Sequence, residues 1–282
     1  MKFGMSLPNF GWFGDIDLLV DIAVEAEESG WDGFFIWDHM VLFTDDPCDV
    51  VDPWVALSAI ACATKRIRIG THITPIPRRR PWKLARESVT LDHLSKGRLI
   101  LGVGIGTPPD PEFAAFGEAT DTRIRAEKLD EGLEIIDGLW SGQRFSFSGK
   151  HYEVSGVTFL PPPYQKPRIP IWVGGGVPHA APFKRAARFD GVAPVHTEWP
   201  KPVSLQELED VLEIVRRTRG TLDDYDVVIC GETTGTSPIQ DGQKLAPWNE
   251  AGVTWWLEDI HGLRADFNTL RERIRAGPPQ MN

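Results

Sequence analysis

Cysteine is scarce: Cys48, Cys62 and Cys230 are the only three in 282 residues. An odd and widely spaced set supports neither a disulfide framework nor a CxxC metal clip, and reads as small buried hydrophobes. Positive charge is also short, with 30 Lys and Arg against 40 Asp and Glu, a formal net charge of -10. A nucleic-acid binder shows a basic face and a high pI, whereas this sequence sits near 5.2, so no such partner is expected. Long apolar runs are missing too: Phe34 to Trp37 and Ile169 to Val173 fall far short of the roughly 18 residues of a membrane span. The opening Met1-Lys2-Phe3-Gly4 shows no secretory pattern, so a cytoplasmic location is the expectation.

What is present is globular: 41% hydrophobic and 25% charged residues exclude a disordered or fibrous chain. Strand signals alternate with helix signals from end to end. The strands are expected at Lys2–Leu7, Gly33–Trp37, Arg66–Thr74, Arg98–Gly104, Ile169–Val173, Gly191–Val195, Asp226–Gly231 and Val253–Leu257, most of them near-continuously apolar, as parallel strands covered on both faces are. Helical periodicity is clearest at Ile16, Leu19, Val20, Ala23; at Leu129, Leu133, Ile136, Trp140; at Leu205, Leu208, Leu212, Val215; and at Leu263, Phe267, Leu270, Ile274. Asp15 marks a helix start, and Pro53 and Pro81 sit where proline opens a helix. Eight strand-then-helix units predict one α/β domain over residues 1–282, a (β/α)8 TIM barrel; an open doubly wound sheet is the runner-up. Between Gly142 and Pro163, alternating Phe145, Phe147, Tyr152 and Val154 around Ser148-Gly149-Lys150 predict a small β-hairpin insertion. The loop from Glu232 to Pro238, mostly small polar residues, is expected at the barrel mouth.

Barrel chemistry gathers at the C-terminal strand ends. The first strand ends Ser6-Leu7-Pro8-Asn9 without the paired histidines of a metal-dependent hydrolase, and no metal site is expected. The second ends Trp37-Asp38-His39, where His39 is the acid/base candidate and Asp38 a carboxylate able to fix its tautomer or raise its pKa. An N-cap Asp beside a solvated His fits the same residues. The third carries His72 and Ile73 and is followed by Arg78-Arg79-Arg80, which either attract an anion or form a solvated loop. On the fourth, Gly102, Gly104 and Gly106 leave room for a flat ring or a phosphate; Thr107 and the prolines after it exclude a Rossmann GxGxxG helix. After the fifth, Gly174-Gly175-Gly176 reads as a phosphate cradle or as a flexible strand-to-helix turn. Tyr152, His196, Trp199, Trp255 and Trp256 are candidate pocket walls or rim packing.

Together these segments resemble the bacterial luciferase-like family of flavin-dependent oxidoreductases. The resemblance rests on Trp37-Asp38-His39, on Leu91-Asp92-His93-Leu94-Ser95-Lys96-Gly97-Arg98 running into Leu101-Gly102-Val103-Gly104-Ile105-Gly106, and on Pro170-Ile171-Trp172-Val173-Gly174-Gly175 ahead of Ala186-Ala187-Arg188-Phe189-Asp190-Gly191. It implies a TIM barrel binding FMN or the deazaflavin F420. It also implies that His39 and Asp38 are catalytic, that Gly104, Gly106 and Thr107 border the ring, and that Gly174, Gly175 and Gly176 hold the phosphate. His72-Ile73 matches a cis non-prolyl peptide in a bulge against the flavin. The family's sugar-phosphate dehydrogenases carry Glu where this sequence has Thr107 and Trp where it has Phe43, which argues against that activity.

The resemblance favours F420-dependent hydride transfer to or from a small organic substrate, with His39 handling the proton. An FMN-dependent monooxygenase and a non-catalytic flavin-binding paralogue are the alternatives. Members of the family often pair through outer helices, so a homodimer is a further expectation.

Overall fold

The computed structural model describes residues 1–41 and 45–281. Eight parallel strands close a barrel: β1 (Lys2–Leu7), β2 (Gly33–Ile36), β3 (Arg68–Pro75), β4 (Leu99–Gly104), β7 (Ile171–Val177), β8 (Gly191–His196), β9 (Asp226–Gly231) and β10 (Trp255–Asp259). β1 closes the ring by pairing with both β2 and β10. The expected TIM barrel is therefore present, and the open sheet is excluded. Around it lie α1 (Ile16–Glu28), α2 (Pro53–Ala63), α3 (Pro81–Leu94), the one-turn α4 (Pro109–Glu112), α5 (Thr122–Trp140), α6 (Ala180–Ala186), α7 (Leu205–Arg219), α8 (Pro238–Glu250) and α9 (Phe267–Arg275).

Local chemistry explains many helix starts. Asp15 accepts the amide hydrogens of Asp17 and Leu18 at the head of α1, and Asp52 caps α2 just before Pro53. Pro81 opens α3 at a position whose amide has no helical acceptor anyway. The apolar stripe Leu129, Leu133, Ile136 and Trp140 is buried against the barrel as the periodicity predicts. The last helix departs from expectation: Asp266 caps α9, so Leu263 falls in the preceding turn and is 72% exposed.

Inside the barrel, Phe35, Trp172 and Trp255 pack with ring centroids 4.9 to 5.7 Å apart, joined by Ile100, Ala193, Val228 and Leu257. Gly33 makes room for them, because a Cβ there would lie 2.5 Å from Phe35 and 2.8 Å from Trp255. This aromatic plug fills the barrel below the mouth. The predicted hairpin is a separate antiparallel pair, β5 (Phe145–Ser148) and β6 (Glu153–Val157). Its tip is held to α5 by Glu131, which accepts the amide hydrogens of Lys150, His151 and Tyr152. Among the described residues no helix is long and apolar enough to cross a membrane.

Candidate functional site

The fifth barrel strand runs further than its apolar signal. β7 continues to Val177, so Gly174, Gly175 and Gly176 lie inside the strand, opposite Ala193, Pro194 and Val195 of β8, rather than in a turn. Their lack of side chains has a packing reason at each position. A Cβ on Gly174 would meet Ile73 Cδ1 at 2.2 Å, one on Gly175 would meet Pro182 at 2.4 Å, and one on Gly176 would meet Thr197 at 2.6 Å. Gly104 likewise faces Ile73 Cδ1, at 2.4 Å. Ile73 thus lies across glycines of two strands as a half-buried apolar residue at the mouth.

Ile73 reaches that place through an irregularity in β3. The β3–β4 register shifts between Thr71 and Thr74, and the His72–Ile73 peptide is cis, as the resemblance implied. Two buried hydroxyls bracket the bulge: Thr74 Oγ1 donates to Asp38 Oδ2, and Thr71 Oγ1, 2.9 Å from Thr74 Oγ1, donates to Gly102 O. His72 contacts Ser6 Oγ at 3.2 Å, and burial lowers its pKa to about 4. Gly106 adopts φ +82°, a left-handed conformation suited to glycine, and Arg125 holds that loop through the carbonyls of Ile105 and Gly106. Thr107 is exposed beside it.

The structure corrects the expected pairing of Asp38 with His39. Asp38 is buried, and its oxygens accept from Arg78, Arg79 and Thr74. Burial alone would raise its pKa, but the charges of Arg79 and Arg78 outweigh that and hold it below the usual carboxylate range. The carboxylate that touches His39 is Glu112, on α4, with Oε1 3.0 Å from Nδ1. Glu112 also accepts from the amides of Met40 and Val41 and from Arg78 Nη1. Every one of those other partners is a donor, so the carboxylate is an acceptor and His39 Nδ1 carries a hydrogen. Nε2 is then the acceptor nitrogen of a neutral ring. Burial, followed by the Arg78 charge, lowers the His39 pKa to about 4 against the pull of Asp38.

The arginine run divides: Arg80 is exposed, as the solvated reading expects, and the other two are not. Arg78 and Arg79 turn inward onto Asp38 and Glu112, while Arg80 lies over Trp82. Of the candidate wall residues, Trp199 stands at the mouth, 6.0 Å from Trp37 and 5.5 Å from His261. Trp255 belongs to the plug, Trp256 packs on Trp248, and Tyr152 packs on Trp82. His196 closes β8 and faces Glu207. Glu112 and His261 were missed by the sequence reading. The available signal for Glu112 was an acid at a strand-four exit, masked by Pro108, Pro109 and Pro111. Phe43 lies outside the described residues. No group of three or more His, Cys, Asp or Glu among the described residues is placed to hold a metal ion.

Comparisons with known proteins agree with this fold. The profile of the luciferase-like monooxygenase family matches residues 1–246. A curated F420-dependent glucose-6-phosphate dehydrogenase of Nakamurella multipartita is 31% identical over 85% of this chain and 73% of its own length. One from Microbacterium testaceum is 34% identical over 75% of this chain, the match spanning 62% of that relative's length. Among solved structures, an F420-dependent secondary alcohol dehydrogenase in complex with an F420-acetone adduct superposes with a TM-score of 0.81. It is 18% identical and covers 99% of this chain and 98% of its own, a likeness of fold. The barrel, the bulged third strand and the extent of the family match lead to one assignment: this chain belongs to the luciferase-like monooxygenase family.

Proposed function

We propose that the chain is an F420-dependent oxidoreductase that moves a hydride to or from a small organic substrate, with His39 exchanging the proton at the substrate oxygen. The observation that carries this reading is the held imidazole: Nδ1 on Glu112, Nε2 as acceptor, and a pKa near 4 that keeps the ring neutral at physiological pH. When bound, a deazaflavin would supply the carbon that accepts or donates the hydride. His72, Ile73, Gly104, Gly106 and Thr107 would border its ring, and Gly174, Gly175 and Gly176 its phosphate end. The residues fit such a group, because half-buried Ile73 offers an apolar surface across Gly104 and Gly174, where neither strand carries a side chain.

In the oxidative direction the C–H bond of an alcohol breaks, its electron pair leaves with the hydride, and the hydroxyl proton passes to His39 Nε2. A carbonyl product results. Asp38 supports this at one remove: it fixes Arg78, which with Glu112 sets the orientation of the imidazole. A homodimer is part of the same proposal, and sedimentation velocity measures it. Side-by-side titration with F420 and FMN tests the cofactor. Micromolar or tighter F420 binding with substrate-dependent bleaching of its visible absorbance is the expected result. Tight FMN binding with oxygen consumption and no response to F420 would overturn the proposal in favour of a monooxygenase, and coenzyme binding by the unaltered chain with no turnover of any substrate would favour a binding protein.

A further inference from the structure

The barrel has a second end, where its strands begin. Lys2, Arg68 and Trp255 are the first residues of β1, β3 and β10, at the foot of the aromatic plug to which Trp255 belongs. Strand alternation turns the two cations toward the barrel axis. Lys2 precedes Gly4 by two positions and Arg68 precedes Gly70 by two, and a Cβ on either glycine would lie 3.2 Å from Phe35 of the plug. Lys2 Nζ accordingly stands 5.1 Å from the centre of the Trp255 ring. With Arg66 and Trp31 these residues line a cavity of about 260 Å³. Sites for drug-sized ligands run to roughly 300–1,000 Å³, so this one suits a smaller solute. It is reached by water, since Lys2 and Arg66 are exposed and Arg68 is half-buried.

The cavity is lined by three cations and two acids, in a chain whose formal net charge is -10. The acids are engaged by backbone. Both Glu27 oxygens accept from the amides of Lys65, Arg66 and Ile67, and Asp32 Oδ2 accepts from the amide of Phe3. The cations lack such partners: among the described residues no carboxylate oxygen lies within 4.0 Å of Lys2, Arg66 or Arg68. Arg66 donates to the Glu27 carbonyl, and Arg68 to the Gly97 carbonyl and the Gln165 amide oxygen. Arg68 Nε has no protein partner and is not enclosed. Burial lowers the Arg68 pKa, opposed at longer range by Asp226 and Asp92. Those two acids accept hydrogen bonds elsewhere, Asp226 from Trp172 and Thr254, and Asp92 from Gln165. Half-buried Arg168 and Arg264, by contrast, each meet a carboxylate directly. A guanidinium drawn partly out of water without one keeps charge-assisted donors for an anion.

We infer that the N-terminal end of the barrel is a binding site for a small oxyanion, a phosphate or a carboxylate, held by Arg68, Lys2 and Arg66. The plug separates it from the mouth, so the assignment is independent of the hydride-transfer reading.

Amide NMR spectra of the whole chain, titrated with sodium phosphate and with sodium citrate against sodium chloride at equal ionic strength, test it. The amides of Asp32, Arg66 and Arg68 report on this end, and those of Gly174, Gly175 and Gly176 on the mouth. Saturable shifts of the first group with phosphate, citrate or both are expected, with none that saturate in chloride; the anion that saturates identifies the ligand class. Lys2→Gln should weaken binding roughly three- to tenfold, the effect of one charge a few ångströms away in water. Arg68→Gln should abolish saturation, and Asp32→Asn, which keeps an acceptor for the Phe3 amide and removes a repelling charge, should tighten binding. Exposed Lys2 can be replaced without disturbing the core, so its variant remains informative if Arg68→Gln does not fold. Chloride shifts equal to those of both oxyanions, saturation confined to the mouth amides, or an unchanged affinity in Lys2→Gln would each overturn the site.

Discussion

Glu112→Gln removes one negative charge and almost no volume from the centre of the site. The Glu112 and Arg78 side chains are 0% and 2% exposed, so the charge left on Arg78 is poorly reached by water. Breaking a buried pair from one side costs about 3–5 kcal/mol, and because Arg78 keeps Asp38 the lower end, about 3 kcal/mol, is expected. The substitution also loosens the turn after β2, since the same carboxylate accepts the amides of Met40 and Val41. Without the carboxylate the Nδ1 hydrogen is no longer fixed and the unshielded Arg78 charge bears on the ring. Turnover should fall at least about tenfold, toward the value of an enzyme without its general base. Urea unfolding reads the stability, and bleaching of F420 absorbance with a saturating alcohol, followed from pH 4 to 9, reads the chemistry. A variant within about 0.5 kcal/mol of the parent, with an unaltered pH profile, would refute the role given to Glu112.

His39→Ala should lower turnover about 10²- to 10⁴-fold while F420 affinity, read by fluorescence quenching, stays within about twofold. Because burial and Arg78 depress the His39 pKa to about 4, alcohol oxidation should lose rate only as pH falls through about 4, not near 6.5; an acid limb at 6.5 in kcat/KM would contradict the structure. His72 is likewise neutral down to about 4, so the unfolded chain binds its proton first as pH drops below about 6.5. Stability should then fall by about 1.4 kcal/mol per pH unit across that window from this residue, and urea midpoints of His72→Asn should show a correspondingly smaller decline. Gly174→Ala puts a Cβ 2.2 Å from Ile73 Cδ1 and should cost about 1–3 kcal/mol; adding Ile73→Val, which deletes that atom, should return most of it in a double-mutant cycle of thermal unfolding.

Periodicity made the barrel readable because each strand is short, apolar and separated from the next by a helix with its own stripe. Boundaries were less legible. The apolar run of β7 stops at Val173 while its hydrogen bonding continues through three glycines, and a residue without a side chain carries no burial signal. His39 was found because it follows a strand end directly. Its partner was not, since Glu112 lies 73 residues away in a single turn framed by prolines, and only the closed barrel brings the two together. Arg78 and Arg79 misled for a related reason: a run of like charge looks solvated until the acids that meet it, Asp38 and Glu112, are placed in space.

Phe35, Trp172 and Trp255 stopper the barrel from below, so among the described residues the mouth is the side from which reactants would come. Traffic through one opening imposes a queue. Both partners of the reaction would have to come and go on the same side, so the two would compete for passage rather than meet from opposite ends.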